Sequence, residues 1–173
     1  MKISFNKKLA ASSAPLVIEG RHVGTIIQIA ALGDQPGFNV GEPPVPTVGV
    51  VVQINGVQIA KKMRVSDNPM SALFAYLDAA LPDPEGYEGE NPLPLTLGCP
   101  IAVEVTVKGH YTNIASFHRL ESFEIGTEPK VAKSELVMLD DPDLLAGEDG
   151  KTLFLKLHRD IRSWISKRVR ERT

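Results

Sequence analysis

The sequence predicts a mainly β domain: a small five-stranded barrel, with a helix between its third and fourth strands and an amphipathic helix at the C-terminus. Three stretches carry that expectation. In residues 97–121, LGCPIAVEVTVKGHYTNIASFHRLE, the apolar Ile101, Val103, Val105 and Val107 alternate with Ala102, Glu104, Thr106 and Lys108. That period of two buries one face of a strand and wets the other. Residues 48–65 place β-branched runs on either side of Asn55-Gly56, the strongest two-residue hairpin signal. Between these two hairpins, residues 68–81 repeat apolar side chains at helical spacing.

In chain order, residues 1–19 form an N-terminal arm carrying Lys2, Lys7 and Lys8 but no apolar run of signal-peptide length. Residues 20–32, GRHVGTIIQIAAL, read as a long first strand. The stretch 33–47 is dense in Gly and Pro and reads as a loop of the kind that carries function; its Phe38 either tucks onto the body or is offered to a ligand. VGVVVQI (48–54) and VQIAKKMRV (57–65) are strands two and three. Lys61, Lys62 and Arg64 gather three cations on strand three, either as a solvated edge or as phosphate contacts. Asn68, or Asp67 before it, caps the helix; Pro69 suits its first turn, and Leu73, Phe74, Leu77 and Leu81 form its apolar face. Residues 82–96 are an acidic, proline-rich connection, and residues 97–121 turn at Gly109 into strands four and five. On strand five, Tyr111 and Phe117 share a face only if no bulge intervenes; if that face points inward, both are core.

Residues 122–150 form an acidic linker or tail, and residues 151–173 a basic amphipathic helix with Phe154, Leu157, Ile161, Trp164, Ile165 and Val169 on its apolar stripe. That stripe docks on the barrel or on a second subunit, or meets another partner. The net charge of −2 conceals segregation: 7 basic and 5 acidic residues over 1–82, 4 and 14 over 83–149, and 8 and 2 over 151–173. Because fields act over about a Debye length of 8–10 Å, such local charge says more about partners than the total does. Cys99 is the only cysteine, so an intrachain disulfide is excluded and a reducing, cytoplasmic compartment is expected. The chain lacks GxxxxGK[ST], GxSxG and HExxH motifs, and His22, His110, His118 and His158 lack metal-ligand spacing with Cys99. No enzyme activity, catalytic residue, metal, cofactor or membrane association is expected.

Strand, strand, strand, helix, strand, strand is the order of an OB-fold, a partly open five-stranded barrel that commonly binds oligonucleotides. Residues 20–121 would form it. The segments GCPIAVEVTV, YTNIASFHRL, GTIIQIAALGDQPGFN (24–39) and KKMRVSDNPMSALFAYL (61–77) resemble a family of bacteriophage single-stranded DNA-binding proteins with an OB-fold. That resemblance implies sequence-independent protection of single strands in phage-type DNA replication or recombination, in the host cytoplasm if the protein is phage-encoded. The family's tail often ends in a short acidic segment and a Trp-containing motif, whereas this chain ends basic, in SWISKRVRERT. Binding single strands requires cations for the phosphates and flat side chains for the bases. Lys61, Lys62, Arg64, Arg21 and Arg119 are the candidate phosphate contacts, and Tyr111, Phe38 and Phe117 the candidate platforms. Besides single-stranded DNA, the partners admitted are a replication protein recruited by the acidic tail and a second copy of the chain. The alternatives are an RNA-binding module and a structural or adaptor protein that binds no nucleic acid.

Overall fold

A computed structural model describes residues 17–37, 39–81 and 91–169. Most of the N-terminal arm, Phe38, much of the acidic connection and the last four residues lie outside them. The strands are β1 (Gly20–Gln35), β2 (Val45–Ile54), β3 (Val57–Arg64), β4 (Pro100–Lys108), β5 (Tyr111–His118) and β6 (Val137–Leu139). The helices are α1 (Ala72–Ala80), α2 (Leu93–Thr96), α3 (Glu148–Lys156) and α4 (Arg159–Ser166).

The strands form one open sheet of order β3-β2-β1-β4-β5, antiparallel throughout, with β6 added parallel to β1. The expectation of a mainly β chain holds, and that of a partly open five-stranded barrel is corrected in two respects. First, β3 and β5 approach each other, but no backbone ladder joins them. Second, β1 is longer than expected and has one edge to spare. That edge pairs with β4 over Gly20–Thr25, exchanges bonds between Ile26 and Gly98/Cys99, and then receives β6 at Gln28–Ala30. A three-residue strand is too short to show periodicity, which is why β6 escapes a sequence reading.

β1 also reaches into the predicted 33–47 loop. Gly33, Asp34 and Gln35 pair with Thr47, Pro46 and Val45, leaving a shorter loop between the strands. The β2–β3 hairpin turns at Asn55 (φ 43°) and Gly56 (φ 82°), the left-handed pair that a two-residue turn needs. Helix α1 begins later than expected. Asn68 spends its side chain on the Met70 N–H and its carbonyl on the Ser71 N–H, closing a turn first, and Ser71 caps the helix through the Phe74 N–H.

One face of the sheet and α1 enclose the larger core, which includes Ile26, Ile29, Val50, Val52, Tyr76, Ile101, Val103, Ile114 and Phe117. Tyr76 is fully buried; its hydroxyl meets Thr96 Oγ1 at 2.6 Å, and its ring meets Phe117 edge-on at 5.0 Å. The opposite face of β1–β3 carries a second core: Ile27, Ala30, Leu32, Val51 and Ala60 pack against Val137, Leu139, Leu157, Ile161 and Ile165. The stretch expected as an acidic linker thus contributes to a core, and of the outcomes open to the C-terminal apolar stripe the structure shows docking on the sheet. That helix is also two helices. Buried Gln28 of β1 donates to the Lys156 carbonyl and accepts from the His158 N–H, both at 2.8 Å, holding the chain extended between α3 and α4.

Candidate nucleic-acid interface

β3 is an edge strand, and its free edge borders a cleft of about 590 Å³ that faces β5. Its floor and walls include Lys61, Lys62, Met63 and Arg64 of β3, Asn113 of β5, Ser71 at the start of α1, Gln35 at the end of β1 and Trp164 of α4. No carboxylate is among the described residues that line it. Lys61 lies opposite Val50 and Lys62 opposite Gly49, so the two lysines leave opposite faces of the strand, and both line the cleft. Neither forms an ion pair with a described carboxylate, whereas Arg64 shares its charge with Glu42 at 3.9 Å. Three cations thus line the cleft at the edge of β3 that pairs with no described strand, and charge of one sign gathered in a cleft focuses the local field.

The other candidate residues fall elsewhere. Arg21 donates from Nε and Nη2 to the two oxygens of Glu124 at 3.1 and 2.7 Å, and from Nη2 to the Arg119 carbonyl at 2.8 Å. Those bonds, then the Glu121 N–H, hold the Glu124 carboxyl below the ordinary carboxylate range. Arg21 is thus half of an ion pair that pins residues 119–124 to β1. Arg119 itself donates to the Leu81 carbonyl at 3.0 Å and does not line the cleft.

The two aromatics of β5 separate. Tyr111 is 77% exposed and Phe117 only 6%. Opposite Glu104 and Val105 of β4 stand Ser116 and Ile114, so Ala115 is an extra residue, and this bulge reverses the face between the two aromatics. Phe117 is core. Tyr111 stands on the outward side of β5 with Asn113, about 7 Å along the strand from a residue that lines the cleft. Phe38 lies outside the described residues.

Trp164, Gln35 and Asn113 were not among the residues that sequence reasoning selected. Only Trp164 left a signal: a large aromatic on a stripe flanked by Arg162, Lys167 and Arg168. Its approach to β3 depends on the fold. Among the described residues no group of three or more His, Cys, Asp and Glu could hold a metal ion, and no helix is long and apolar enough to cross a membrane. Comparison with family models, with curated proteins and with solved structures finds no match to this chain.

Proposed function

We propose that this chain is a single-stranded DNA-binding protein of low sequence preference, built on an OB-type barrel left open between β3 and β5, and that it protects single strands in phage-type replication or recombination. The observation that carries the reading is the cleft at the β3 edge, lined by Lys61, Lys62 and Arg64 and by no described carboxylate. The strand order with α1 between β3 and β4, and the approach of β5 to β3, support the OB-type reading. Cations along a groove neutralise phosphates without reading base edges, so binding of this kind tolerates any sequence. The exposure of Tyr111, two residues from Asn113 on β5, supports a role in stacking one base beyond the cleft. The role is binding, without a catalytic step.

Anisotropy of labelled oligo-dT, oligo-U and duplex DNA tests the proposal. Three phosphate contacts predict a log–log salt slope of about −2 for a single strand, or roughly a twentyfold loss of affinity between about 50 and 200 mM salt. Changing Lys61 and Lys62 together to Glu should abolish binding at the higher salt. Preference for oligo-U would favour an RNA-binding module, and no binding at low micromolar concentration would favour an adaptor.

A further inference from the structure

We infer that Trp164, carried by the C-terminal helix α4, is a base-stacking wall of the β3–β5 cleft, so that sheet and tail hold a single strand together. This rests on the reading of the cleft as a single-strand site and adds the residue that would grip the base.

Trp164 is the one aromatic among the described residues that line the cleft. It is half-buried, whereas its neighbours on the same helix, Ile161 and Ile165, are 0% and 2% exposed and fill the second core. Trp164 also packs against the margin of that core, and, as is common for a residue of its size, part of its surface is left to the cleft. There the indole lies beside Lys62 of β3, whose Nζ is 5.5 Å from its ring centroid. An accessible aromatic next to ammonium groups that pair with no described carboxylate is the combination that unpaired bases and their phosphates require. A base arriving on the face that Lys62 covers displaces the ammonium toward the adjoining phosphate, so one cation–π contact is exchanged for a stack and an ion pair.

The platform is also held in place before any ligand arrives. Gln35, itself buried, donates to the Trp164 carbonyl at 2.8 Å and to the Leu32 carbonyl at 2.9 Å. Downstream, the Val169 N–H donates to the Asp34 carbonyl at 2.7 Å. On the sheet side Gly49 lets α4 approach, because a Cβ there would fall within the Ile161 side chain. Little ordering of the backbone is left to be done on binding.

The chain contains a single tryptophan, so its intrinsic fluorescence reports on this residue alone. Titration of the full chain with oligo-dT should quench that emission along the same curve as the anisotropy of a labelled oligonucleotide. Trp164→Phe should retain affinity within about fivefold, whereas Trp164→Leu, which keeps apolar packing but has no π face, should lose about fivefold to a hundredfold at an unchanged salt slope. Oligonucleotide binding with unmoved emission, or a Trp164→Leu protein that binds like the parent, overturns the inference and leaves the proposed function standing. Absence of any oligonucleotide binding overturns both. If the Leu variant fails to melt cooperatively, the fluorescence titration of the unaltered chain decides.

Discussion

Tyr111 and Phe117 stand on the same eight-residue strand with nearly opposite exposures, and a single inserted residue separates their fates. Period two was readable from the sequence. The bulge at Ala115 was not, because it arises from how β5 pairs with β4 rather than from any residue type with a strong local preference. Their energetics should differ accordingly. Phe117→Ala removes a ring packed against Tyr76 and should cost about 3–5 kcal/mol in urea unfolding, while Tyr111→Ala should stay within about 0.5 kcal/mol. Under the proposed function the order should reverse for single-strand affinity, with Tyr111→Ala the variant that loses binding in the anisotropy titration. Arg21 shows the same limit for charge: a cation is visible in a sequence, but its bidentate bond to Glu124, 103 residues away, is not.

At the scale of the element, the break between α3 and α4 is governed from outside the helices. Residues 151–166 read as one amphipathic stretch, yet Gln28 of β1 takes the Lys156 carbonyl and the His158 N–H as partners. Gln28→Leu leaves both groups without that partner, at about 1–3 kcal/mol each, and should lower the urea midpoint and speed amide exchange at His158. His158 then caps α4, its Nδ1 accepting from the Asp160 N–H at 3.1 Å. Burial, partly offset by Asp160, pushes the imidazole below its ordinary pKa, so the folded state favours the neutral ring. The unfolded chain takes up this proton near about pH 6.5. The folded chain does so only at lower pH, so the cap's contribution is fully present above that value and is lost as pH falls toward the folded pKa. Glu124, also lowered, acts in the same direction but in a more acid window, below about pH 4.3. The urea midpoint should therefore drop between about pH 7.5 and 5.5, and His158→Asn, which keeps a capping acceptor that does not titrate, should flatten that step.

At the scale of the whole molecule, the two faces of β1–β3 make the tail part of the fold. The run Ile26–Leu32 is buried with hardly a break because Ile26 and Ile29 belong to the larger core, while Ile27, Ala30 and Leu32 belong to the second, which side chains of β6 and α4 complete. Removing residues 122–173 would expose Ile27, Ala30, Leu32, Val51 and Ala60 together, and at roughly 25 cal/mol per Å² of apolar surface this is a large penalty for a small sheet. The truncated chain should aggregate or melt at a much lower temperature, as light scattering and a thermal melt would reveal; a soluble chain with unchanged melting would make the second core dispensable.

What the sequence by itself determined is local. Alternation named β4, Asn55-Gly56 named the β2–β3 hairpin, apolar spacing named α1, and the cluster Lys61, Lys62 and Arg64 was evident as charge. Such features depend on residues a few positions apart, which is the range over which propensity and periodicity act. Only the tertiary structure decided that β3 and β5 stay unpaired around a cleft, that β6 takes the spare edge of β1, and that Trp164 arrives beside Lys62. Each of these joins residues distant in the chain through packing and backbone pairing, and no local pattern encodes which partner a free edge or an apolar stripe will find.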